Sequence, residues 1–377
     1  MAFFIEKLSL TQFRSYTSAR LNCDHRPVIL TGPNGAGKTN VLEAISLLMP
    51  GRGIRRARIA ELKNIKASPA EYWAVSSKLN TPFGPTQIGT GQHPDQDGRM
   101  IRIDGIDQKS QTPLAEISAI VWLTPQMDGL FLDSPSVRRR FLDRMVSNFN
   151  PKHQSHTSKY DKLLRERSSI LKTQRAPDPH WLSALETQIA EMGIAIAAAR
   201  HLFCERLEQA IERLKIDESD FPFPRVEIHG LIDDFLKENP AVDAEEFFKQ
   251  RLSESRQIDS YTGGAQDGTH KSDFRVYHKG MNMPAENCST GEQKGLLVKL
   301  ILGQAALVKA ERGFPPLLLL DDIAAHLDAR RRDILFETIL GLDCQSWMTG
   351  TDVENFSGLK DSAQYFSVKN SIISGQN

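Results

Sequence analysis

PVILTGPNGAGKTNVLEAISLLM, residues 27–49, is the stretch from which the fold of this chain can be read. Its opening PVIL is a short apolar run of the kind that forms a buried strand, and NVLEAISLLM repeats apolar residues at helical spacing. Between them Gly32–Thr39 matches GxxxxGK[ST] in full. Strand, glycine-rich turn and helix are the setting in which such a loop binds phosphate. The glycines let backbone N–H groups turn toward an anion, and the helix adds the positive end of its dipole. Lys38 is spaced to reach the β- and γ-phosphates, and Thr39 to ligate Mg²⁺. The nucleotide-binding candidates are therefore Gly32, Pro33, Asn34, Gly35, Ala36, Gly37, Lys38, Thr39 and the adjoining Asn40, with ATP and Mg²⁺ as the expected ligands.

A phosphate loop needs acids on a neighbouring strand. PPLLLLDD, residues 315–322, reads as a buried strand that ends in two carboxylates. Asp321 stands where a Walker B acid holds Mg²⁺ through water, and Asp322 where a general base orients the attacking water. Upstream, Ser289-Thr290-Gly291-Glu292-Gln293-Lys294 opens a predicted helix. It fits a plain capping arrangement, and equally a second anion site at a helix N-terminus. Its place before the acidic strand favours phosphate contact.

Composition narrows the class. Lysine plus arginine equals aspartate plus glutamate, 47 against 47, which speaks against a generic polyanion binder but leaves room for local basic patches. Arg52, Arg55 and Arg56, with Arg58, are the basic candidates for contact with DNA or with a second subunit; Arg138–Arg140 and Arg330–Arg332 fit solvated helix faces about as well. Four scattered cysteines show no zinc or disulfide spacing and suit a reducing cytoplasm. No stretch approaches the ~18 apolar residues of a membrane span.

Along the chain, strands are expected at 3–10, 27–31, 72–79, 99–103 and 119–123, with loop or hairpin over 81–98. From Ser136 to about Leu214 the period is helical, broken at APDP (176–179) into a helical hairpin. A mixed region, a Gly/Asp-rich loop at 261–270 and a strand near 274–280 follow. Residues 327–340 read as a helix and 344–351 as a strand and turn. This predicts an α/β ATPase domain split by an inserted, mainly α-helical lobe: 1–122, then the lobe 123–270, then 271–377.

The phosphate loop, the distant STGEQ segment and LLLLDDIAAHLD together resemble the ABC ATPases, and the fold implied is an ABC-type ATPase head. The separation from Lys38 to Ser289 is far longer than in transporter subunits, and no coiled coil of the SMC kind fills it. LSLTQFRSY (8–16), GRGIRRA (51–57), LTPQMDGLFLDSPSVRRRFLDRM (123–145), STGEQKGLL (289–297) and QSWMTGTD (345–352) resemble segments of the RecF family of bacterial DNA replication and repair ATPases. That resemblance implies a cytoplasmic, nucleoid-associated clamp without a membrane partner. ATP would dimerise it on DNA at single-strand/double-strand junctions or gaps, and a weak DNA-stimulated ATPase would release it. RecO and RecR are the implied partners in loading RecA. It also implies that Ser289 and Gly291 contact, in trans, the γ-phosphate held by a second subunit. Gln126 falls at the Q-loop position, toward Mg²⁺ and the attacking water, and Asp328 at the D-loop aspartate. Asp322 stands where many ABC ATPases have Glu, Ala325-His326 where the D-loop serine pattern lies, and Thr349 or Gly350 at the switch-histidine position. A transporter ATPase subunit and a non-hydrolysing nucleotide sensor are the alternative readings.

Overall fold

The computed structural model describes residues 3–93, 95, 98–173, 178–324 and 327–376. The chain divides into two compact units, one made of Met1–Asp128, Ala210–Pro222 and Leu297–Asn377, the other of Gly129–Gln209 and Phe223–Leu296. This division differs from the expected boundaries. The first unit takes back residues 210–222, and the segment before residue 297, with STGEQ in it, groups with the helical unit.

The first unit opens with the hairpin β1 (Phe4–Phe13) and β2 (Tyr16–Asn22). β3 (Val28–Thr31) leads into α1 (Lys38–Ser46). Then come β4 (Trp73–Thr81), β5 (Gly84–Gln92), β6 (Met100–Ile103), β7 (Ile106–Asp107), α2 (Thr112–Ile117) and β8 (Ile120–Leu123). The expected 81–98 loop or hairpin holds the strand β5. In the second unit α3 (Pro135–Phe149), α4 (His153–Thr173) and α5 (Pro179–Glu212) succeed one another, and α5 finishes in the first unit. The expected break at 176–179 lies partly outside the described residues. β9 (Pro224–His229), α6 (Leu231–Glu238), α7 (Ala241–Glu254), α8 (Arg256–Thr262), β10 (Asp273–His278) and β11 (Met283–Pro284) follow. α9 (Thr290–Arg312) returns the chain to the first unit, which closes with β12 (Leu317–Leu320), α10 (Ala329–Leu342), β13 (Ser346–Gly350), β14 (Gln364–Lys369) and β15 (Ile372–Gln376).

Two six-stranded sheets build the first unit. One is antiparallel, ordered β2-β1-β4-β5-β6-β7; the other is ordered β15-β14-β3-β13-β12-β8, parallel except for β15. Its strands β3, β8, β12 and β13 are buried at every residue, as expected for parallel strands covered on both faces. In β1 the buried Leu8 and Leu10 alternate with the half-buried Ser9 and Thr11, Phe13 is buried at the end of the strand, and a register shift between Ile5 and Lys7 puts Ile5 on the same core. The two sheets and α1 share one apolar cluster, in which Val41, Leu42, Ala44 and Ile45 of α1 meet Val28 and Leu30 of β3. Val41, Leu42 and Ile45 each contribute about 1.5–3 kcal/mol when fully buried, so the helix behind the glycine-rich loop is held mainly by its apolar face.

The second unit has its own core, in which Leu163 and Ile170 of α4, Leu182 and Ile189 of α5, and Phe248 of α7 pack together. Inside it Arg167 is fully buried and donates to Glu186 Oε1 (2.9 Å), Asp259 Oδ2 (2.7 Å) and the Leu252 carbonyl (2.6 Å). One guanidinium thus ties α4 to α5, α7 and α8. Among the described residues no helix is long and apolar enough to cross a membrane.

Candidate functional site

β3 and β12 lie on either side of β13 in the parallel sheet, so all three strands deliver their carboxyl ends to one edge. Such an edge is where open α/β sheets bind ligands. The glycine-rich loop leaves β3 there. Gly32 has φ +150°, and a Cβ on it would stand 2.1 Å from the Val368 carbonyl oxygen of β14, so no side chain fits. Gly37, at φ +111°, caps α1, and its carbonyl accepts the Tyr16 hydroxyl at 3.0 Å. Among the described residues the N–H groups of Gly35 and Gly37 have no backbone acceptor, as an anion nest requires.

Lys38, the first residue of α1, is nearly buried and folds back, donating to the carbonyls of Gly32 (2.6 Å) and Pro33 (3.0 Å). Burial pushes its pKa down, against the pull of the Asp322 and Asp321 carboxylates. The Thr39 hydroxyl donates to Asp321 at 2.9 Å. Across the edge the Thr349 hydroxyl of β13 donates to the same Asp321 oxygen at 2.7 Å and accepts the Asp322 N–H at 2.9 Å. Asp322 itself sits at φ +52°, a left-handed conformation that costs a residue with a Cβ about 1 kcal/mol or more. Thr39 and Asp321 together form a hard-oxygen donor set, the kind that Mg²⁺ takes. The donor set, the glycine cradle and the lysine all fit a magnesium nucleotide.

Gln126 lies in the short helical turn Pro125–Met127 just beyond β8, whose Leu123 pairs with Leu320 and accepts the Asp321 N–H at 2.9 Å. It is exposed at the same sheet edge. Asp328 caps α10 by accepting the Arg331 N–H at 2.9 Å, and Ala325 and His326 lie outside the described residues. In the second unit Ser289 caps α9. Its N–H and its hydroxyl both donate to Glu292 Oε2 at 2.8 Å, while the Glu292 N–H reaches back to the Ser289 hydroxyl at 3.4 Å. The capping arrangement is therefore present, and Ser289, Thr290 and Gly291 remain exposed at the end of the helix.

The basic clusters separate once their partners are seen. Arg55 donates to Asn40 Oδ1 (2.7 Å) and pairs with Glu43 (3.3 Å), whose other bonds go to Arg14 at 2.8 and 2.6 Å. Glu43 is fully buried on α1, so Arg14 and Arg55 are anchored to the helix of the phosphate loop. Sequence reasoning passed over it, although an acid inside the apolar run VLEAI was a visible signal. Arg52 and Arg56 are exposed beside them. Arg138 pairs with Asp273 at 2.8 Å, and Arg139 donates to the Ser272 carbonyl. Arg330 is exposed and pairs with Asp220 at 2.6 Å, while the half-buried Arg332 donates to Asn355 at 2.6 Å, so both have partners within the first unit and fit a solvated helix face. A further cation missed in the sequence, Arg99, donates to the carbonyls of Leu47 and Gly51 behind α1, and burial pushes its pKa down to about 10.

Comparison with known proteins gives a consistent picture. Residues 7–80 match the family described as AAA domain. The DNA replication and repair protein RecF of Rhizobium meliloti is 42% identical, over 99% of both chains. That of Agrobacterium fabrum is 44% identical, over 97% of this chain and 96% of its own. Among solved structures, the recombination mediator protein RecF-ATP of the RecFOR pathway superposes with a TM-score of 0.86 at 24% identity, over 100% of this chain and 98% of that one. A Smc head domain from Pyrococcus furiosus, bound to the C-terminal domain of ScpA, superposes with a TM-score of 0.56 at 17% identity, over 99% and 96% of the two chains.

Proposed function

The chain belongs to the RecF family of DNA replication and repair proteins, and from that premise we propose that it is an ATP-driven clamp on DNA. The observation that carries the reading is the convergence of Lys38, Thr39, Asp321 and Thr349 on one sheet edge. In this reading Lys38 leaves the Gly32 and Pro33 carbonyls for the β- and γ-phosphates, while the loop N–H groups hold the β-phosphate. Thr39 and Asp321 hold Mg²⁺. When bound, Mg²⁺ neutralises charge on the β- and γ-oxygens. Asp322 orients the attacking water, and Gln126, in the turn just beyond β8, serves Mg²⁺ and that water. Asp is one methylene shorter than the Glu common at that position, so turnover is slow and ATP acts as a switch. Ser289 and Gly291 serve the γ-phosphate of a second copy, a role that fits their exposed place at the N-terminal end of α9. Closure of that homodimer on gapped or junction DNA, with RecO and RecR, supports the loading of RecA, and hydrolysis reopens it. The setting is the cytoplasm, close to the nucleoid.

Sedimentation velocity with and without Mg-ATP and a gapped duplex tests this. Wild type is expected to double in mass with ATP and to co-sediment with the DNA. Lys38→Met is expected to stay at its nucleotide-free mass and to lose ATP-dependent DNA retention. ATP-dependent dimers of Lys38→Met on DNA would refute the assignment.

A further inference from the structure

The second unit carries a basic feature that no nucleotide role absorbs. On α4, Lys162, Arg165, Ser169 and Lys172 recur at steps of three and four residues, so they share one face, and all four are exposed. From Lys162 to Lys172 the stripe runs about 15 Å at ~1.5 Å per residue. Its C-terminal end opens into a cleft of about 670 Å³ whose far wall includes Gly263, Gly264 and Lys271. Gly263, at φ +89°, follows α8, and a Cβ there would stand 2.8 Å from Lys172 Nζ. The missing side chain lets the lysine lie across the mouth of the cleft.

The charge of this cleft is unbalanced. No carboxylate lines it, and Lys172 and Lys271 have no ion pair among the described residues. Arg165 lines the cleft and donates its Nε to the Asp161 carbonyl at 3.2 Å, and the Asp161 carboxylate, outside the cleft lining, offsets part of its charge. Other arginines of the unit are neutralised by partners: Arg138 by Asp273, Arg200 by Asp143 and Arg251 by Asp267. Hydroxyls of Ser168, Ser169 and Thr262 stand between the cations, and hydroxyls and cations are the groups that contact phosphate oxygens. A free phosphate would use only the cleft. A linear stripe leading into it fits a run of successive phosphates.

We propose that this stripe and cleft seat the sugar-phosphate backbone of DNA, a contact made by the helical unit and separate from the arginines beside the phosphate loop. The proposal rests on the DNA-clamp reading. Its test is a salt titration of gapped-duplex binding by the full chain with Mg-ATP, for wild type and for the triple variant R165Q/K172Q/K271Q. Each lost phosphate contact removes about 0.9 from the slope of log K against log salt, so the triple variant is expected to lose about 2–3 units of slope. ATP-dependent dimerisation in the absence of DNA is expected to be unchanged. An unaltered slope in a variant that melts and dimerises like wild type overturns the proposal and leaves the clamp reading standing. If wild type binds no DNA at any salt, both fall together. A third arm melts both proteins with and without millimolar inorganic phosphate. Loss of phosphate stabilisation in the variant with an unchanged DNA slope would assign the cleft to a free anion and overturn the DNA proposal.

Discussion

At the scale of the residue, Thr349 matters more than its place in the sequence suggested. It occupies the strand between the two nucleotide motifs and serves both acids, Asp321 through its proton and the Asp322 N–H through its oxygen. Asp322 sits in a left-handed conformation, so the hydroxyl holds a strained turn as well as a carboxylate. Thr349→Val keeps the shape and removes both bonds. It is expected to slow single-turnover ATP hydrolysis by about 10–100-fold, the usual effect of losing a partner that orients a metal ligand. It is also expected to cost about 1–3 kcal/mol in urea unfolding. Thr349→Ser should restore most of the rate; a valine variant with wild-type turnover would show that the hydroxyl orients nothing. The phosphate loop was fully legible in the sequence because glycine, lysine and threonine are demanded there by backbone conformation and charge. Thr349 was legible only as one of two residues at the switch-histidine position, not as a partner of both acids, and Glu43 and Tyr16 were not read as parts of the site, because all three act through distant partners that only the sheet order brings near.

At the scale of the element, strands and helices with strong periodicity were read well. β3, β12 and the helices of residues 135–173 and 179–212 lie where the apolar spacing put them. β14 escaped notice because QYFSVK is half-exposed over most of its length and takes its identity from pairing with β3. β2 escaped for the same reason, as a polar strand defined by the hairpin with β1. The 81–98 stretch read as loop or hairpin because it is rich in Gly, Pro and Asp; it holds β5, which pairs back on β4 as a hairpin, and a Cβ on Gly91 would meet the Trp73 carbonyl of β4 at 2.4 Å. In the helical unit, Arg167 joins α4 to its neighbours through charge in a dry interior. Arg167→Ala leaves the Glu186 and Asp259 carboxylates there without it, at an expected cost of about 3–5 kcal/mol in urea unfolding. Adding Glu186→Gln and Asp259→Asn should recover part of that loss. If Arg167→Ala unfolds like wild type, the network contributes no stability.

At the scale of the whole molecule, the chain assembles its nucleotide edge from pieces far apart in sequence and leaves the Ser289 end of α9 exposed. Ser289→Arg removes a cap, at about 1 kcal/mol, and places bulk and charge where a second copy would approach. Such a variant is expected to bind ATP, as read by thermal stabilisation, yet to remain at its nucleotide-free mass in sedimentation with ATP. Dimers formed by it would mean that the signature end has no part in assembly. The positions of β13 and β14 have a consequence for biosynthesis. Val28 pairs with Trp347 and with Gln364, and the Gly32 turn is shaped against Val368. A nascent chain therefore carries the phosphate loop out of the ribosome long before the strands that flank it exist. Until translation reaches them, the loop has no sheet to hang from and ATP has no seat. Completion of the nucleotide seat thus waits on non-local strand pairing, the slower class of contact to form.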